Sequence, residues 1–114
     1  MTQFTLMHLQ IQIACSSRDE ANLISRTLVE ERLAACIQVS GPVTSTYRWQ
    51  GNIESDEEWM CTAKTIDSLY TRFEERIKEL HSYDNPEIIA TPIERGSAEY
   101  LGWLENMVDE NSSG

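Results

Sequence analysis

The sequence is short of several things. Among its 114 residues are three cysteines, three prolines, five glycines and two histidines, and nine Lys and Arg stand against nineteen Asp and Glu. The shortage of positive charge leaves a formal net charge of −10. A chain of that sign repels phosphate backbones and anionic lipid surfaces, so nucleic acid and membranes are not expected partners, whereas cations are. No apolar run approaches the roughly 18 residues of a membrane-spanning helix. Cys15, Cys36 and Cys61 are odd in number and contain no C-x-x-C pair. A disulfide framework or zinc ribbon is therefore not expected, and a reducing compartment, the cytoplasm, is. Met1 to Leu9 has neither a basic stretch nor an A-x-A-like cleavage site, so no secretory signal is expected. Nucleophile elbow, P-loop, dinucleotide-binding glycines and H-E-x-x-H are all missing. With only His8 and His81 to supply imidazole and no local Ser-His-Asp or Cys-His signature, an enzyme is not expected.

What is present reads as one globular domain over 1–114: 40% apolar and 25% charged residues, with no internal linker, long repeat or low-complexity segment. Leu9 to Ile13 alternates strictly and predicts a strand. Ser17-Arg18-Asp19-Glu20 matches a capping box, in which the Ser side chain caps and the Glu reaches back. Ala21, Ile24, Leu28, Val29 and Leu33 then mark one helical face. Ala34 to Val39 predicts a second strand, interrupted at Gly41-Pro42 and resumed through Val43, Tyr47 and Trp49. Gln50-Gly51-Asn52 predicts a tight turn into a strand from about Ile53 to Thr65. Ile66, Leu69, Tyr70, Phe73, Ile77 and Leu80 form the clearest helical stripe. Glu87 to Ile93 predicts a fourth strand whose far end Pro92 confines to an edge. A last helix carries Tyr100, Leu101, Leu104, Met107 and Val108, within an ordered core of about 8–108 and before a frayed Asn111 to Gly114.

The order β-α-β-β-α-β plus a C-terminal helix predicts an α+β, ferredoxin-like split βαβ sandwich, an antiparallel sheet with helices on one face. The β2–β3 hairpin is long for so small a domain. Helices cover one side of the sheet, yet Tyr47, Trp49, Ile53 and Trp59 need cover as well. Large apolar side chains on a bare surface mark an interface, so a homo-oligomer is expected.

Cys15 ends the first strand just before the helix start at Ser17, where a thiolate is stabilised as nucleophile or soft-metal ligand. The plainer reading is a small buried hydrophobe, and Cys36 and Cys61 read as strand packing. His81 ends the second helix, where it can cap carbonyls; alternatively its imidazole is a ligand. Thiolate plus imidazole suits copper or zinc. His8 reads as a polar-face residue beside Gln10 and Gln12. Asp56-Glu57-Glu58 is a solvated acidic run or a source of oxygen ligands.

Three segments together resemble the CutA family of divalent-cation-tolerance proteins: Glu31-Arg32-Leu33-Ala34-Ala35-Cys36-Ile37; Thr44 to Ile53 running on to Glu57-Glu58-Trp59 and Lys64-Thr65; and Leu80-His81-Ser82-Tyr83-Asp84-Asn85-Pro86-Glu87-Ile88-Ile89 with Tyr100-Leu101-x-Trp103-Leu104. The likeness spans roughly His8 to Leu104. It implies a tight homotrimer with the long hairpin around the threefold axis, a link to copper and other divalent ions, none of them tightly bound, and kinship with trimeric PII signalling proteins. It also implies Cys15 and His81 as metal ligands. Leu80 stands where some members carry a second histidine, and Ser82 where the family usually has proline. A PII-like alternative would bind a small molecule in inter-subunit clefts, with Tyr83, Trp49, Arg48 and Glu57 as lining residues. Protein partners are not specified by any of these residues.

Overall fold

The alternation in Leu9 to Ile13 decides where the core lies. In the computed structural model, which describes residues 6–108, strand β1 (His8–Cys15) sends Leu9, Ile11, Ile13 and Cys15 into one continuous core. The remaining elements are α1 (Arg18–Glu30), β2 (Cys36–Trp49), β3 (Asn52–Ile66), a single 3-10 turn (Asp67–Leu69), α2 (Tyr70–Leu80), β4 (Ile88–Ile93) and α3 (Ala98–Met107). The sheet order is β2-β3-β1-β4 with every neighbouring pair antiparallel. This is the expected ferredoxin-like topology. The fraying predicted for Asn111 to Gly114 lies outside the described residues.

Helix α1 buries Ala21, Ile24 and Leu28, and α2 buries Phe73 and Ile77 just after the buried Leu69. These spacings of three and four place each set on one stripe facing the sheet. Each of the enclosed Ile, Leu and Phe side chains contributes about 1.5–3 kcal/mol. The turn after α1 is made by Arg32 at φ +61°, a left-handed position usually given to glycine. Its guanidinium bonds the Asn106 carbonyl at 2.8 Å. Next to it, Glu31 and Arg76 join α1 to α2 at 2.9 Å, and that pairing holds the Glu31 carboxyl below its usual range.

Gly41-Pro42 shifts the register of β2 against β3 between Ser40 and Val43 without ending the strand, so the expected interruption is a bulge. Gly41 sits at φ +144°, and a Cβ there would lie 3.0 Å from Trp59 Cδ1 and from the Glu58 carbonyl oxygen. The hairpin closes with Gln50 and Gly51, both at positive φ, the two-residue loop that suits strand twist. It draws the chain out to 54 × 25 × 23 Å. Along it Tyr47, Trp49 and Ile53 remain 42%, 60% and 62% exposed. Trp59 behaves differently and packs against the core.

Helix α3 works at the opposite end of the sheet from the hairpin tip. His8 does share a face with Gln10 and Gln12, but it is buried, and its Nε2 meets Glu105 of α3 at 2.7 Å. Pro92 falls in β4, an edge strand, as its missing N–H requires.

Candidate metal centre

The cluster forms where one strand ends, one helix begins and another stops. Ser17 caps α1, its hydroxyl accepting the Glu20 N–H at 3.0 Å. Glu20, expected to reach back to the cap residue, instead reaches one residue further. Its Oε1 accepts the Ser16 N–H at 2.9 Å and the Ser16 hydroxyl at 3.0 Å, and its Oε2 accepts the Ser82 N–H at 2.7 Å. The carboxylate therefore ties the start of α1 to the loop after α2. Burial pushes its carboxyl up, but the hydrogen bonds from Ser16 and Ser82 outweigh that and hold it below the ordinary value.

His81 is the residue that ends α2, its N–H still bonded to the Ile77 carbonyl. Its ring does not cap α2 carbonyls. Nε2 lies 2.7 Å from the Ala14 carbonyl oxygen, and Nδ1 accepts the Tyr83 N–H at 3.0 Å. These partners define the Nε2–H tautomer, with the Nδ1 lone pair taken by the Tyr83 amide and Glu20 Oε2 3.9 Å from Nδ1. The ring has no exposed surface. Its bond to Ala14 draws the end of α2 onto the end of β1, one residue from Cys15.

Cys15 is fully buried, as the packing reading required. Nevertheless one donor atom each from Cys15, Glu20 and His81 lie within 4.8 Å of one another. Beside them is Cys61, its Sγ 3.9 Å from that of Cys15. A hydrogen bond between the sulfurs, with burial and the second sulfur's charge, raises the Cys15 thiol, and the same bond lowers Cys61. The two thus ionise as a pair, the first proton lost more readily than the second.

The expected small-molecule residues are divided. Trp49 and Tyr83 line a groove of about 880 Å³ together with Tyr47, Glu54, Asp56 and Glu58. Tyr83 donates to Glu58 at 3.1 Å; burial and that carboxylate raise the phenol to about 12. Tyr47 likewise donates to Asp56. Arg48 and Glu57 do not line the groove. Arg48 pairs with Ile53 and Glu57 with Thr44, which puts both on the opposite face of the hairpin from Trp49 and Glu58. The acidic stripe is therefore Glu54, Asp56 and Glu58 rather than three consecutive residues, a period-2 signal already legible in the sequence. The sequence pattern gives Glu20 only a capping role and Cys61 only packing. Neither local pattern reveals the partner that strand register brings up.

The topology and this cluster define a small ferredoxin-like α+β protein with a sulfur–nitrogen–oxygen donor set of the kind that holds a metal ion. The chain belongs to the CutA1 divalent ion tolerance protein family, whose model matches residues 9–107. It is 45% identical over 94 residues to the divalent-cation tolerance protein CutA of Thermus thermophilus, covering 82% of this chain and 91% of that one. It is 35% identical over 102 residues to the chloroplastic protein CutA of Arabidopsis thaliana, covering 90% of this chain and 56% of that one. The chain therefore spans little more than half of the plant relative. The structure of the periplasmic divalent cation tolerance protein CutA of Archaeoglobus fulgidus superposes with a TM-score of 0.87 at 38% identity, over 90% of this chain and all of that one.

Proposed function

We propose that this chain is a divalent-cation tolerance protein that binds copper or another divalent ion through Cys15 and His81 and works as a homotrimer. One observation carries the metal reading: a sulfur, a carboxylate and an imidazole within 4.8 Å of one another. The donor set fits such an ion. Thiolate and imidazole suit copper and zinc, and a ring that donates its second N–H to a backbone carbonyl is oriented as metal-binding histidines are. Nδ1 of His81 is the ligand atom in this reading and Glu20 supplies an oxygen. The ion contributes charge neutralisation within an acidic chain. Three protein donors are one short of a closed tetrahedral set, in keeping with an ion that is not tightly held. The three free thiols favour a reducing compartment, and we place the protein in the cytoplasm, although relatives include chloroplastic and periplasmic forms. No helix among the described residues is long and apolar enough to cross a membrane.

Divalent copper, Cu(II), titrated into wild type, Cys15→Ala and His81→Ala tests the site. Each variant is expected to lose at least tenfold in affinity; unchanged stoichiometry and affinity in both would remove it. The trimer is supported by the exposed Val43, Tyr47, Trp49 and Ile53 of the hairpin, and a monomer by light scattering at micromolar concentration would overturn it. The groove lined by Trp49 and Tyr83 favours a second reading, a PII-like module that binds a small organic ligand. A thermal shift from such a ligand in chelated buffer would support that reading over the metal one.

A further inference from the structure

Cys61 comes to Cys15 from the neighbouring antiparallel strand. Cys15 faces Trp59 and Cys61 faces Ile13, so the two cysteines are diagonal neighbours on the helix-covered side of the sheet. Both are fully enclosed and neither is in a disulfide. Around Cys61 Sγ, the Ser25 hydroxyl donates from 3.6 Å and the Ala21 carbonyl oxygen lies at 3.7 Å. Cys15 is therefore common to two donor sets. On one side are the carboxylate and imidazole of Glu20 and His81; on the other is a second sulfur.

We propose that Cys15 and Cys61 form a two-sulfur site for a soft monovalent ion, Cu(I) or Ag(I), with a metal preference different from that of the Cys15–Glu20–His81 set. Paired thiolates select such ions over harder ones. With metal–sulfur bonds of about 2.3 Å, sulfurs 3.9 Å apart subtend about 115° at an ion between them. Widening the pair by about 0.7 Å makes the arrangement linear. Enclosure of both sulfurs disfavours an ion that keeps its waters, and a low-coordinate ion has no need of them. On binding, both thiols lose their protons to solvent and two metal–sulfur bonds form, with no change of oxidation state. The Ser25 hydroxyl stays as a hydrogen-bond donor to the Cys61 thiolate. The proposal rests on Cys15 being a metal ligand, as above, and adds one residue and one class of ion.

The test is an anaerobic titration with Cu(I) buffered by a chromogenic chelator, and in parallel with Zn(II), on wild type, Cys61→Ala, Cys61→Val and His81→Ala. Both Cys61 variants are expected to lose 100-fold or more in Cu(I) affinity while keeping Zn(II) affinity within threefold. His81→Ala is expected to show the reverse. X-ray absorption of the wild-type Cu(I) form should count two sulfurs per ion. Circular dichroism checks the fold, and Val keeps strand shape should Ala disturb the core; if both unfold, the sulfur count on wild type decides. Cu(I) affinity within threefold of wild type in Cys61→Val, or one sulfur per ion, overturns the proposal and leaves the Cys15–His81 reading standing. That reading fails separately, when Cys15→Ala and His81→Ala leave divalent-ion binding untouched.

Discussion

The two ends of β3 meet opposite conditions. Near Cys61 the strand is covered on one face by α1 and bordered by β1 and β2, and its inward side chains have no exposed surface. Toward Asn52 it is half of a two-stranded ribbon, with Ile53 and its partner strand's Trp49 largely in solvent. The sequence changes between them as well: Ile53 is the one apolar residue from Asn52 to Glu58, whereas Trp59 to Ile66 holds five. With that goes how much structure lies around each residue. A side chain at the covered end is held by long-range register, while an aromatic at the open end is left in solvent by this chain alone. Among the described residues Trp59 Nε1, at the boundary, is the buried side-chain polar atom left without a hydrogen-bond partner.

The comparison breaks most readily by truncating one residue at each end. Ile13→Ala, opposite Cys61, is expected to cost about 2–5 kcal/mol in urea unfolding. Ile53→Ala is expected to cost under about 0.5 kcal/mol within a protomer and to act instead on association, seen as an unfolding midpoint more dependent on protein concentration. Equal and concentration-independent losses would show that the two ends are not distinct.

A smaller effect is expected at Glu20. Glu20→Gln removes a charged acceptor of three hydrogen bonds and should cost about 1–3 kcal/mol at neutral pH. Because the folded carboxyl lies below its ordinary value, its charge stabilises the fold above the unfolded pKa of about 4.3, and that contribution is lost as pH falls through the folded value. Wild type and Glu20→Gln stability curves should therefore converge in acid. Parallel acid limbs would show that the carboxylate is not held by Ser16 and Ser82.

The smallest effect belongs to the groove. Tyr83 is raised to about 12 by burial first and Glu58 second. The neutral phenol is favoured in the fold, so its contribution is present below pH of about 10 and fades as pH rises toward about 12. Glu58→Gln should lower the ultraviolet titration midpoint of Tyr83 without returning it to the ordinary value, because burial remains. A midpoint that does not move would remove the contact.

These experiments also separate what was legible in the sequence from what was not. The period-2 run at Leu9 to Ile13, the cap at Ser17 and the stripe through Phe73 and Ile77 are local patterns with local causes, and the structure reproduces them within a residue or two. The continuity of β2 through Gly41-Pro42 was less legible, since pairing with β3 on both sides of a bulge outweighs the lost donor. Cys15 and His81 could be named in advance because both terminate elements. Glu20 joins them through a Ser82 amide 62 positions away, and Cys61 through its register with Ile13. No spacing along the chain encodes either contact.

The His81 ring sets a kinetic condition on anything that binds it. Its Nδ1 lone pair is already engaged by the Tyr83 amide, while its Nε2–H anchors it to Ala14. An ion bound at Nδ1, as proposed above, would meet a ring already aimed by Ala14 but would have to displace the Tyr83 amide, which would return to the nitrogen on release. Occupancy of the proposed site would then turn over by exchange of one partner of the ring for another.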